Sequence, residues 1–263
     1  MIIVLAGPSI ATLKPPCMGK IEIRPPAQQG DIYLAALEKP DAIGVIDGYF
    51  EGVPALWHKE ILWAMAQGIP VMGASSMGAL RAAELEAFGM IGVGAIFEDY
   101  RDEKLEDDDE VALLHGPQEV GYPALSLAMV NVRATLKAAR EAKSITHSQT
   151  EQILKLAKSE FYKTRTWDSV FGAVDSSILS EREAHDLRNW IKTHGIDQKK
   201  LDAMALIDRL ENGQFELPQP NYHFEETDLW LNATKVWRQR ERSKPNIEED
   251  GYRLLGSITA LDE

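Results

Sequence analysis

Two adjacent serines stand out for chemistry. Ser75 and Ser76 lie in "GIPVMGASSMGALRAAEL" (Gly68 to Leu85), where an apolar run breaks sharply into a helical pattern. "ASSMG" is G-x-S-x-G with Ala74 in the first glycine position, which puts Ser76 where a strained turn exposes a nucleophile. Amides opening the following helix would favour an oxyanion at that spot. Gly73 and Gly78 also have the spacing of a phosphate loop. Ala79 and Leu80 stand where that loop needs its lysine and its hydroxyl, so a nucleotide is not expected. The same serines fit an ordinary helix N-cap. A one-residue shift of the turn exchanges which hydroxyl faces outward.

A nucleophilic serine needs a base held by a third group. His58, in "WHKEIL", is one candidate, with Asp47 or Glu60 to orient it. His115, which ends "DDDEVALLH", is a rival, because the order Ser76, Asp109, His115 follows that of α/β-hydrolases. Triads recur in several chain orders, so order leaves both open. Arg81 and Glu84 are three apart on the helix after the serines and are expected to pair. Arg81 is alternatively a holder of an oxyanion or carboxylate.

These residues need a scaffold. "IIVLAG" (Ile2 to Gly7), "AIGVID" (Ala42 to Asp47) and "IPVMGAS" read as buried strands. Helical patterns follow in "GDIYLAALEK", with Asp31 as N-cap, in "VPALWHKEILWAMAQG", with Pro54 at the first helical position, and in "MGALRAAELEAFG". "VGAIFEDY" and "EVALLH" read as further strands. Apolar strands alternating with helices imply a parallel sheet covered on both faces, an α/β Rossmann-like architecture. Ligands of such sheets bind beyond the carboxyl ends of the strands. That rule selects Ser9, Asp47, Gly48, Gly73, Ser75, Ser76 and Gly78.

After Gly116 the pattern becomes all-helical. Leu125, Met129, Val132, Leu136 and Ala139 form one helical stripe. "THSQ" and "SERE" fit capping boxes at Thr146 and Ser180. Ala184, Leu187, Ile191 and His194 mark a helix ended by Gly195, and another helix spans about Gln198 to Asn212. "ELPQPN" reads as a linker, and Trp230, Ala233 and Trp237 mark one more helix. The division expected is an α/β core at 1–116 and a helical part at 117–263, packed on the core or independent.

The formal net charge over 263 residues is -13, which makes nucleic acid a poor partner. A lone cysteine, Cys17, excludes an intrachain disulfide and a cysteine-held zinc. No apolar run reaches the roughly 20 residues of a membrane span, and the N-terminal run reads as a first strand rather than a signal peptide. A cytoplasmic protein is expected. "FEDYRDEKLEDDDE" carries nine acids and two bases, a solvated loop or a docking patch for a basic partner. Metal binding is a further reading of that stretch, without the spacing of an EF-hand, and no metal is assigned to the site. "WRQRERSK" is the one local basic cluster.

"RPPAQQGDI", "IDGYFEGVPALWHKEIL", "GASSMGALRAAELEAFGMIGVG" and "LEDDDEVALLHGP" together resemble the TfuA family, from about Gly7 to Trp167. The resemblance implies a partner of YcaO enzymes in making peptide backbone thioamides. It implies hydrolysis of a thiocarboxylated, ubiquitin-like carrier similar to ThiS, with release of sulfide, and help to YcaO in engaging its precursor peptide. The ATP belongs to YcaO, so no cofactor is expected here. The family's motif positions fall on Ser9, Asp47, His58, Glu60, Ser75, Ser76, Arg81 and Glu84. Thioacid hydrolysis would use Ser76 as nucleophile or water-positioner and His58 as base. Asp47 or Glu60 would orient the imidazole, and the turn amides with Arg81 would hold the oxyanion. The alternative is an adaptor that binds peptide or YcaO without catalysis.

Overall fold

The computed structural model describes residues 1–11 and 20–242, so Cys17 and the last two residues of "WRQRERSK" lie outside the described part. Five parallel strands form one sheet: β1 (Ile2–Leu5), β2 (Ile21–Arg24), β3 (Ala42–Val45), β4 (Val71–Ala74) and β5 (Ile91–Val93). Their order is β2-β1-β3-β4-β5. The order reverses between β1 and β3, which opens a crevice where the loops after these strands diverge. The α/β sheet with a helical C-terminal region is therefore the observed architecture.

Side-chain alternation divides the core. Ile3, Leu5, Ile43, Val45 and Val71 pack with α1 (Asp31–Leu37), α2 (His58–Ala66) and α3 (Met77–Leu85). Ile2, Val4, Ala42, Met72 and Ala74 face the other way, onto Ala203, Leu206, Ile207 and Leu210. Those four belong to α9 (Gln198–Glu211), so a helix more than a hundred residues beyond the sheet closes its second face. Gly44 makes this possible, because a Cβ there would lie 2.8 Å from Leu210 Cδ1. Between them, α5 (Met129–Glu141), α6 (His147–Ser159), α7 (Trp167–Ala173) and α8 (Glu181–His194) bury a separate apolar cluster. The capping boxes at Thr146 and Ser180 are both formed.

Several local expectations need correction. Gly30, not Asp31, caps α1, at φ 97°, and the Asp31 carboxylate instead accepts from Gln28 N. Pro54 lies before α2, in a loop where its carbonyl accepts from Gln29 N, and the helix starts at His58. "VGAIFEDY" is mostly α4 (Ala95–Arg101), and "EVALLH" is a 3-10 turn and loop rather than a strand. β2, "IEIR", is a half-buried edge strand that the apolar pattern does not announce.

By contacts the chain falls into two compact units, Met1–Phe224 and a second from Glu225. The second contains α10 (Asp228–Arg242), where Trp230 and Trp237 meet edge to face with centroids 5.6 Å apart. Among the described residues no helix is long and apolar enough to cross a membrane.

Candidate functional site

The turn after β4 has the geometry of a strained elbow. Ser75 is at φ 69°, a left-handed conformation that a non-glycine residue adopts at a cost. Met77 opens α3 immediately afterwards. Both flanking glycines are sterically required. A Cβ on Gly73 would lie 2.1 Å from Gly78 O, and one on Gly78 would lie 1.8 Å from Val45 O. The "GASSMG" spacing thus brings the helix onto the strands. Gly48 admits the Met77 side chain in the same way, its Cβ position being 2.8 Å from Met77 Cγ.

Loops after β1, β3 and β4 converge as the sheet topology requires. The Asp47 carboxylate accepts from Gly7 N at 2.9 Å, Ser9 N at 3.0 Å and Ser9 Oγ at 2.7 Å. Ser75 Oγ donates to Ser9 Oγ at 2.9 Å. Ser9, Asp47 and Ser75 therefore form one buried relay across the switch point. Ser76 turns the other way. Its Oγ lies 3.0 Å from Lys199 Nζ, which also donates to Val111 O at 2.7 Å and stands 3.8 Å from Asp47 Oδ1.

Lys199 belongs to the first turn of α9 and is 2% exposed. Burial pushes its ammonium below the ordinary lysine value, and the Asp47 charge opposes part of that fall. Asp47, Ser76 and Lys199 line the floor of a cleft of about 220 Å³ whose walls include Gly48, Tyr49, Val111 and His115. His115 Nδ1 donates to Gly116 O at 2.8 Å. Ser75 is fully buried and does not line the cleft. At the rim Glu51 accepts from Tyr162 Oη at 2.7 Å and pairs with Lys163 at 2.5 Å.

The remaining expected residues gather elsewhere. His58 Nε2 lies 2.7 Å from Glu84 Oε2, and Arg81 reaches the same oxygen at 2.6 Å. Arg81 Nε also donates to Leu56 O. Burial pushes the Glu84 carboxyl up, but the His58 and Arg81 contacts outweigh it and hold the group low. This half-exposed triad makes no hydrogen bond to Ser75 or Ser76. Glu60 is fully buried, and accepts from Gly30 N at 2.8 Å, Tyr33 N at 3.4 Å and Trp57 N at 3.2 Å. It joins the starts of α1 and α2 rather than meeting an imidazole. Burial raises its carboxyl to about 8 against the pull of those amides. The amides of Ser76 and Gly78 both donate to Ile46 O, so they do not face the cleft.

The acidic loop is largely answered from within. Lys158 Nζ contacts Asp109 and lies 3.1 Å from Asp107 and 2.8 Å from Glu110. Arg133 adds two hydrogen bonds to Glu110, and the fully buried Arg165 reaches Asp109 at 3.1 Å. An ammonium thus fills the centre that three carboxylates would offer a metal. Asp109 is held by Lys158 and Arg165, not by His115.

Residues 47–166 match the TfuA-like protein family, and no curated protein matches the chain. Lys199 lies outside the matched span. Over that span, which supplies Asp47, Ser75, Ser76 and Val111 to the cluster, the chain is similar to the TfuA-like proteins.

Proposed function

We propose that this protein hydrolyses a thiocarboxylated, ThiS-like carrier in the cytoplasm and so releases sulfide for a YcaO enzyme. That enzyme would then install the sulfur in the backbone of a precursor peptide, whose engagement this protein assists. The observation that carries the reading is the meeting of Asp47, Ser76 and Lys199 on the floor of one cleft. Thioacid hydrolysis needs an oxygen nucleophile, a proton carrier and a cleft that admits an extended tail. Ser76 Oγ, as nucleophile or as holder of a water, supplies the first. Lys199 supplies the second, with burial pushing its ammonium below the ordinary lysine value. The cleft is open at the Glu51 rim, and sulfide leaves a tetrahedral centre more readily than an amine does. Asp47 holds the β1 loop and the Lys199 charge in place.

The test is a paired assay on the purified chain. Sulfide release from a thiocarboxylated ThiS-like carrier is measured beside binding to the YcaO enzyme, for wild type, Ser76→Ala and Lys199→Met. Release lost in both variants with binding intact is the expected result. A wild type that releases no sulfide but still stimulates YcaO is a non-catalytic adaptor, and the hydrolase reading falls.

A further inference from the structure

We propose that a second cavity seats an extended polypeptide segment in which a large aliphatic side chain stands next to an acidic one. Residues 114–126 form a two-stranded ribbon. His115 bridges Ala124 in antiparallel fashion, Gly116 N donates to Pro123 O at 2.8 Å, and Leu125 N donates to Leu114 O at 2.8 Å. Leu114 and His115, on the first limb, border the cleft. Ala124 and Ser126, on the second limb, border another cavity of about 340 Å³. Pro8, Leu113 and Lys199 are walls of both, so the ribbon stands between two neighbouring hollows. The inference rests on the reading above only in naming the occupant as the peptide that this protein helps a YcaO enzyme to engage.

The lining selects the occupant. Leu113, Leu127, Ile191 and Ile196 supply apolar walls, and the half-buried Trp167 adds its indole. Pockets of this kind bind by apolar contact and are oriented by a few polar groups. Two donors in the lining are uncommitted. Ser126 is 6% exposed, and its Oγ accepts from Leu114 N at 2.7 Å, but its own proton has no acceptor among the described residues. The Trp167 indole N–H has none there either. Leu127 N donates to Arg165 O at 2.8 Å, so the two donors lie on adjacent stretches of chain. Donors of this kind call for carbonyl oxygens, which an extended peptide presents at every residue. Charge adds the acidic neighbour. Asp197, the one acid in the lining, already accepts from Asn131 Nδ2 at 2.9 Å and from Lys200 N at 3.1 Å. Lys192 is exposed at the same cavity and pairs with no carboxylate among the described residues. Its ammonium is free for an acidic side chain, and a pair so exposed orients the segment more than it anchors it.

The test reads the tryptophan indole N–H signals of the isotope-labelled whole chain by NMR. Six tryptophans give six such signals, and Trp167→Phe removes one and so assigns it. The probe is acetyl-Gly-Leu-Glu-Gly-amide, titrated beside the same peptide with alanine for leucine and with lysine for glutamate. The leucine–glutamate peptide is expected to shift the Trp167 signal saturably, and more than any other. Loss of the leucine side chain should weaken binding at least about tenfold. Lysine for glutamate should weaken it about two- to fivefold at low salt, and that gap should close in Lys192→Gln. Ala124→Phe, at an exposed position, narrows the cavity and should abolish the shift while its melting curve stays with wild type. No saturable shift by about 10 mM peptide, equal shifts from all three peptides, or a shift that survives Ala124→Phe overturns the site. Sulfide release, measured on the same proteins, keeps the two readings apart. Release from the carrier without a peptide-dependent Trp167 shift overturns the site alone. A peptide-specific shift in a chain that releases no sulfide supports the site and overturns the carrier reading.

Discussion

Ser76 Oγ and Lys199 Nζ meet at 3.0 Å although 123 residues separate them. Asp47 Oδ1 stands 3.8 Å from the same nitrogen and raises its proton affinity against the effect of burial. Asp47→Asn removes that opposing charge and lets the Lys199 ammonium fall further. If neutral Lys199 is the base, the alkaline rise of kcat/KM for sulfide release moves to lower pH by about one unit or more. A rise that stays in place, or moves to higher pH, would show that another group controls the rate.

The two serines should separate cleanly by substitution. Ser75→Ala keeps the backbone turn and loses one buried hydrogen bond to Ser9, worth about 1 kcal/mol of stability. Its sulfide release is expected within about tenfold of wild type, a factor that corresponds to a shift of roughly 1.4 kcal/mol. Ser76→Ala removes the cleft hydroxyl and should lose about 10²-fold or more. Equal losses would mean that the relay, not the cleft-lining hydroxyl, carries the reaction.

The half of the site on the sheet edge is legible in the sequence because topology alone assembles it. Three apolar strands, each followed by Gly, Ser or Asp, imply that Ser9, Asp47, Ser75 and Ser76 share one rim. The base is harder to read. His58 suggests itself by residue type, but it sits at the first position of α2, where its side chain meets Glu84 on the half-exposed outer side. Lys199 leaves a fainter trace. In α9 the buried stripe runs Lys199, Asp202, Ala203, Leu206, Ile207 and Leu210, so a lysine continues an apolar face. It also stands in the first helical turn, where the dipole disfavours a cation. Neither signal says what the stripe packs on. That depends on a long-range choice, α9 closing the sheet, which only Gly44 hints at.

His58→Ala offers a direct contrast with Lys199→Met. The histidine is 40% exposed and pairs with Glu84, which Arg81 also holds. Removing it should cost about 1 kcal/mol or less, as exposed ion pairs do. Sulfide release should stay within about twofold of wild type, since the cleft floor is untouched. A loss approaching that of Ser76→Ala would return the imidazole to the chemistry.

Gly78→Ala tests whether the glycines of the turn are structural. The new Cβ would meet Val45 O at 1.8 Å, a backbone atom in the middle of the sheet with nowhere to move. Overpacking typically costs about 1–3 kcal/mol, and a clash with fixed backbone puts this one at about 3 kcal/mol. For a chain of this size that lowers Tm by roughly 6–12 °C. Gly52→Ala is the control for the crowding term, because nothing lies within 4 Å of a Cβ there, although its φ of 83° adds local strain. A Gly78→Ala protein that melts with wild type would mean that α3 docks less closely than described.

Glu60 gives the protein a pH-dependent stability with a definite sign. Burial raises its carboxyl from 4.5 in the exposed state to about 8 in the fold. The folded state therefore holds a proton that the unfolded state has released between those two values. Stability from this group is fully present below about pH 4.5 and is lost as pH rises toward 8, with a slope of at most about 1.4 kcal/mol per unit. Glu60→Gln cannot release a proton and removes this slope. Urea midpoints at about pH 5.5 and about pH 8 make the comparison, with wild type expected to weaken against Glu60→Gln at the higher pH. A constant difference across the range would mean that the amides of Gly30, Tyr33 and Trp57 hold the group as a carboxylate throughout.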